Sequence, residues 1–207
     1  MDEEAHTPFL LSLTPEEKSF LLKLARNTII VVVTGKPPVE TEIETEIERG
    51  EWRPLSDSSV SARLQEQSGA FVSLHRHGEL RGCVGTLAAD KSIKEAVEKM
   101  ALAAAFDDPR FPSLTEDELA GLDIEISLLS PLTQVSPDEV IPGKHGLCLI
   151  HGPHRGVLLP QVATRYGWDR ETFLSQTCVK ADLPEDTWQD PETAILVFTA
   201  EVFGEEK

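Results

Sequence analysis

The sequence predicts an α+β fold, mainly antiparallel sheet with flanking helices. Short β-rich runs come in pairs around glycine-containing turns, the helical stretches are separated rather than woven into a repeating βαβ rhythm, and one segment alternates apolar and polar residues as a half-buried strand must. Residues 1–7 are polar and read as a flexible N-terminus, with one domain following over 8–204. Thr14-Pro15-Glu16-Glu17 supplies an N-cap, a proline at the first helical position and a capping-box acid, so a helix starts there. Phe20, Leu21, Leu24 and Ala25 give it an apolar face, and the β-branched run Ile29 to Val33 finishes it before Gly35-Lys36-Pro37-Pro38. Residues 35–56, rich in Glu and Pro, read as a surface connection, and Asp57 to Gln67 as a second helix weakened by its serines.

Phe71 to His75 and Leu80 to Leu87 flank His77-Gly78 as a hairpin. Ser92 and Glu95 repeat the capping box, and Ile93, Ala96, Val97, Met100, Ala101 and Ala104 follow with helical spacing, the strongest helix signal in the chain. Leu122 to Leu129 is the alternating strand. Leu147 to Ile150 and Gly156 to Leu159 form a second hairpin about Gly152-Pro153, Asp169 or Thr172 opens a helix to about Ala181, and Ile195 to Phe203 reads as a last strand. No internal repeat is visible.

Composition narrows the function classes. The chain has 207 residues, 40% apolar, enough for a substantial core. No uninterrupted apolar run, Ile29 to Val33 among them, is anywhere near long enough to span a bilayer, and no signal-peptide pattern opens the chain, so a cytoplasmic location away from membranes is expected. Lys and Arg number 19 against 36 Asp and Glu, and the net charge of -17 repels a phosphate backbone, which argues against nucleic acid. Cys83, Cys148 and Cys178 contain no Cys-x-x-Cys pair, so reduced thiols are the default rather than a disulfide framework or a zinc ribbon, and neither a metal nor a cofactor is predicted.

The segment Leu80-Arg81-Gly82-Cys83-Val84-Gly85 is the most unusual, because a cation, a thiol and two glycines crowd into one expected strand. Alternation puts Arg81 and Cys83 on one face, where the guanidinium would favour the thiolate. Two glycines inside a strand suggest a bulge or the close approach of another backbone or a ligand. The same segment is compatible with a small buried cysteine and an arginine paired to one of the many carboxylates.

These residues closely resemble the Leu-Arg-Gly-Cys-Ile-Gly signature of the AMMECR family, whose prokaryotic members are called AmmeMemoRadiSam system protein A. Ala105-Phe106-Asp107-Asp108-Pro109-Arg110-Phe111-Pro112, Leu122 to Pro131, Gly143-Lys144-His145-Gly146-Leu147, Arg155 to Ala163, Gly167-Trp168 and Thr177 to Ala181 look like the family's further blocks in the same order. Val84 stands for the usual isoleucine and Asp107 for the usual glutamate. The resemblance covers roughly residues 8–204 and implies two intimately associated subdomains with the signature lining a cleft. It also implies protein partners, a Memo-like protein and a radical S-adenosylmethionine protein, in a shared modification or metabolic pathway.

Two functions follow as expectations. In one, the cleft is a binding site for a small anionic ligand or a partner segment, lined by Arg81, Gly82, Gly85, Asp108, Arg110, Lys144, Gln161, Cys178 and Lys180. In the other, the chain is an enzyme with Cys83 as nucleophile, Arg81 holding an anionic group and His145 as general base. Each candidate has a structural reading beside it: Gly143 and Gly146 shape a turn, Cys178 fills core, Lys180 is a surface charge, and Asp107-Asp108-Pro109 terminates a helix.

Overall fold

The computed structural model describes residues 13–36 and 60–205. Helix α1 (Pro15–Thr34) begins as expected: Thr14 accepts from the Glu17 amide, Glu17 accepts from the Thr14 amide, and Pro15 sits at the first helical position. Gly35 closes it in the left-handed conformation that glycine tolerates best. The second helix, α2 (Val60–Leu64), is shorter than Asp57 to Gln67, and the expected connection beyond Lys36, with the start of that helix, lies outside the described residues.

The described chain divides into two compact units, one holding residues 13–36, 60–128 and 202–205 and the other 129–201. In the first, β1 (Ala70–Arg76) and β2 (Glu79–Thr86) form the expected hairpin, β3 (Leu122–Leu129) pairs with β1, and β8 (Ala200–Gly204) completes the order β2-β1-β3-β8. Helix α3 (Ile93–Phe106), started by the reciprocal Ser92–Glu95 capping box, packs on β1 and β2 and against α1. Val72, Leu74, Ile93, Val97, Ala101, Ile124 and Ile126 are buried. Each large aliphatic side chain so buried contributes about 1.5–3 kcal/mol.

In the second unit, β5 (Gly146–His151) and β6 (His154–Leu158) form the other expected hairpin, and β7 (Ala194–Phe198) and the two-residue β4 (Thr133–Gln134) give the order β4-β7-β5-β6. Helix α5 (Arg170–Lys180), capped by Asp169, packs on β5 and β6, around a core of Val140, Leu147, Phe173, Leu174, Ile195 and Val197. The sequence reading missed α4 (Pro160–Tyr166), although Pro160 at its start and left-handed Gly167 at its end are the standard boundary residues.

The two units share one topology. Each is a hairpin, then helix (one in the first unit, two in the second), then a strand returning beside the hairpin's first strand, giving the orders β2-β1-β3 and β6-β5-β7. The fourth strands are exchanged: β4 follows β3 in sequence but pairs with β7, while β8 follows β7 but lies in the sheet of β3. The stretch Ile195 to Phe203, read as one strand, therefore breaks at Thr199. At the two crossover points Ser130 and Thr199 bond each other, Ser130 N–H to the Thr199 carbonyl and Thr199 N–H to Ser130 Oγ, both 2.9 Å. The sequence shows no internal repeat, and the likeness lies in the backbone alone, since a backbone pattern can recur without residue identity. One shared detail is a glycine facing a helix. A Cβ on Gly82 would stand 2.1 Å from the Ala104 carbonyl oxygen of α3, and one on Gly156 would stand 2.3 Å from that of Thr177 in α5.

Candidate functional site

The signature occupies β2, an edge strand whose outward backbone groups need partners other than β1. At Cys83 both are supplied by side chains that follow α3. Asp108 Oδ2 accepts the Cys83 N–H at 2.8 Å, and Arg110 Nη2 donates to the Cys83 carbonyl at 3.2 Å. Arg110 also donates to Asp108 from Nε at 2.9 Å, from Nη2 at 2.7 Å and from its own amide at 3.1 Å. The carboxylate–guanidinium pair thus takes the place of a neighbouring strand for one residue. Pro109 ends α3 as expected, yet Asp108 does more than solvate the helix end: its side chain is only 3% exposed. The bond from Arg110 holds the Asp108 carboxyl far below the usual carboxylate range, against the opposing effect of burial and with help from the Cys83 and Arg110 amides.

Arg81 is placed differently from the alternation argument. The β1–β2 register pairs Leu74 with Gly82 and His75 with Leu80, which leaves Arg81 as the extra residue of a bulge. Its guanidinium runs to Glu118, with Nε and Nη2 donating at 2.7 and 2.9 Å, and Nη2 also donates to the Pro112 carbonyl at 2.9 Å. The Arg81 side chain is 11% exposed, and its Nη1 is buried without a partner among the described residues. The bond from Arg81 pulls Glu118 down to about 2. Arg81 is therefore the paired arginine of the structural reading, and its expected roles of favouring the thiolate and holding a ligand lack geometry here.

The guanidinium near the thiol is that of Arg110. It is raised chiefly by its bond to Asp108, with Cys83 among the charges that couple to it. Both arginines approach Phe111, with guanidinium carbons 5.9 Å (Arg81) and 5.5 Å (Arg110) from the ring centre, a cation–π arrangement that steadies their planes. Cys83 is half-buried and lies opposite Ser73, whose Oγ–H donates to Cys83 Sγ at 3.2 Å. Ser73 in turn lies opposite Glu125, making a Cys83, Ser73, Glu125 row across three strands. The sequence reading missed Ser73 and Glu118. Glu118 was legible only as the far end of a Thr115-x-x-Glu118 capping box, and Ser73 carried no signal because its role depends on strand register.

The signature glycines are explained by packing. Gly82 leaves room for the Ala104 carbonyl, and a Cβ on Gly85 would sit 2.1 Å from the Phe71 ring. The sequence expected a bulge or a close approach here; the bulge falls at Arg81 beside Gly82, and close approaches occur at Gly82 and Gly85, but the approaching groups are the protein's own.

The remaining candidates belong to the second unit. Left-handed Gly143 turns the chain so that the Lys144 and His145 amides donate to the Ile141 carbonyl at 3.2 and 2.9 Å. Lys144 is exposed and His145 half-buried. His145 Nδ1 accepts the Ile141 N–H at 3.2 Å, so the neutral ring carries its proton on Nε2 and presents a donor. Burial and the Lys144 charge lower its basicity. The general-base role expected for His145 requires that turn bond to break. Gln161 is exposed in the first turn of α4 and Lys180 at the end of α5. Cys178 is fully buried in α5, and burial pushes its thiol up, so it is core rather than a cleft contact. Among the described residues no group of three or more His, Cys, Asp or Glu is placed to hold a metal ion, and no helix is long and apolar enough to cross a membrane.

The AMMECR1 family model matches residues 22–203. The chain belongs to the AMMECR1 family. It is 40% identical over 198 residues to Protein TK0174 of Thermococcus kodakarensis, covering 90% of this chain and 89% of that one. Protein PF1979 of Pyrococcus furiosus is also 40% identical, over 199 residues, covering 90% and 87%. The fold matches the crystal structure of the uncharacterized protein PH0010 from Pyrococcus horikoshii, with a TM-score of 0.74, 37% identity and 94% of each chain covered. The α+β architecture expected from the sequence is therefore that of its AMMECR1 relatives. In this family member, features common to both units, such as Gly82 and Gly156, serve the fold. Among the described residues the Asp108–Arg110 clamp on Cys83 has no counterpart in the second unit, where β6 carries Val157 at the matching position, and this asymmetry singles it out.

Proposed function

We propose that this AMMECR1-family protein is a cytoplasmic recognition component acting with a Memo-like protein and a radical S-adenosylmethionine protein in a shared modification or metabolic pathway. The contact surface of this reading is the Leu80–Gly85 signature with Asp108, Arg110 and Phe111. The observation that carries it is the clamp: Asp108 and Arg110 fix the Cys83 backbone at both its N–H and its C=O, while 55% of the Arg110 side chain stays exposed. A rigid backbone beside an exposed, pre-oriented guanidinium suits recognition, because little ordering remains to be done on binding. The test is direct binding of the purified chain to each of the two purified partners by calorimetry. Micromolar or tighter binding that Arg110→Ala weakens at least tenfold and Cys83→Ser leaves unchanged is the expected result. Absence of binding to either partner, alone or together, refutes it.

A second reading, Cys83 as a nucleophile in a stand-alone enzyme, is favoured by the Ser73 hydroxyl that donates to the sulfur and holds it in place on a half-buried edge strand. It requires that Cys83→Ser abolish the pathway's product while partner binding survives.

A further inference from the structure

The hydrogen bonds of Arg110 are divided unevenly, and the division says what the site can accept. Nε donates to Asp108, and the two Nη2 hydrogens are taken by Asp108 and the Cys83 carbonyl. Nη1 has no partner among the described residues, and the side chain is 55% exposed. The paired fork by which arginine grips a carboxylate or phosphate through two nitrogens is already occupied. What remains is one nitrogen with two N–H groups, held by Asp108 and by the Phe111 ring at 5.5 Å, beside a half-buried thiol. Arg81 offers no such edge, because its guanidinium is spent on Glu118 and Pro112 and its last nitrogen is buried.

We propose that Arg110 is the ligand-recognising cation of the signature, that Asp108 is its positioning residue, and that the ligand presents a single carboxylate to Arg110 Nη1 with the rest of its body along Cys83. This inference rests on the signature being the recognition site and names what is recognised there. A monocarboxylate matches the one free nitrogen. A polyphosphate does not, because the neutralising Asp108 is fixed against the same guanidinium and the chain carries a net charge of -17.

Cys83 supplies its own reporter. Iodoacetate and iodoacetamide alkylate a thiolate by the same displacement of iodide and are nearly the same size, but only iodoacetate carries a carboxylate. Their rate ratio at Cys83, followed by peptide mass spectrometry on the intact folded chain, therefore reads the local cation. Cys148 and Cys178 are fully buried and serve as internal controls for unfolding. The expected wild-type ratio exceeds that of the urea-unfolded chain. Arg110→Gln lowers it by at least about threefold, the effect of a unit charge at roughly 6 Å in water, whereas Asp108→Asn, which removes the neutralising acid, raises it. General loosening of the fold moves both reagents together and both variants in the same direction, so the opposite signs are the signature of the proposed arrangement. A ratio unmoved by Arg110→Gln, a parallel fall in both variants, or a native Cys83 inert to both reagents overturns the proposal. Partner binding is scored separately by calorimetry, so failure here leaves that result standing, and the reverse.

Discussion

Gly82→Ala separates the two meanings of the signature, fold and chemistry. The added Cβ would stand 2.1 Å from the Ala104 carbonyl oxygen, and ordinary contact begins near 3.4 Å, so β2 and α3 must part by roughly 1 Å. Overpacking costs about 1–3 kcal/mol where a side chain can yield. Here the obstacle is the backbone of a helix whose Val97, Ala101 and Ala105 are buried, which argues for the upper end, about 3 kcal/mol. With a urea slope of about 2 kcal/mol per molar, the midpoint falls by about 1.5 M. Gly156→Ala, 2.3 Å from the Thr177 carbonyl, should lose a similar amount by the same mechanism in the second unit. Gly152→Ala is the control: its φ is 55° and nothing lies within 4 Å, so only the left-handed backbone cost of about 1 kcal/mol applies. Urea unfolding followed by circular dichroism measures all three. A Gly82→Ala midpoint within about 0.3 M of wild type would refute the close approach and return Gly82 to the ligand-binding role first expected of it.

Three further outcomes are expected. Glu118→Gln removes the acceptor of Arg81; because the folded carboxyl is lowered to about 2, its stabilisation is present above the unfolded carboxylate pKa, about 4.3, and is lost as pH falls toward 2. The stability gap between wild type and variant in denaturant titrations should therefore shrink from pH 6 to pH 2, and a gap that widens contradicts the assignment. A neutral thiol reagent should modify one cysteine, Cys83, in the native chain and all three in urea, since Cys148 and Cys178 are 0% exposed; early labelling of Cys178 would contradict its core placement. Ser92→Ala removes the acceptor of the Glu95 amide at the start of α3 and should cost about 1 kcal/mol, with Ser92→Asp recovering most of it; equal losses in both variants would show that burial of the hydroxyl, not capping, is at stake.

Local chemistry made much of the fold legible. The Thr14 and Ser92 capping boxes, the Ile93 to Ala104 periodicity, the Leu122 to Leu129 alternation and the two glycine turns each depend on neighbours within four residues, which a sequence displays directly. The family, too, was legible, because ordered blocks along the whole chain survive without coordinates. The strand exchange was not, since β-rich residues lie on both sides of Thr199 and only pairing decides which sheet each half joins. The site divides the same way. Residue types marked Arg81, Gly82, Cys83, Asp108 and Arg110, but a single-residue bulge sent Arg81 to Glu118, and the unpaired edge of β2 drew Asp108 and Arg110 onto Cys83. The sequence by itself determined most of the elements, the family and the signature residues; the tertiary structure alone decided which cation faces the thiol, because that depends on hydrogen bonds between groups 25 and more positions apart in the chain.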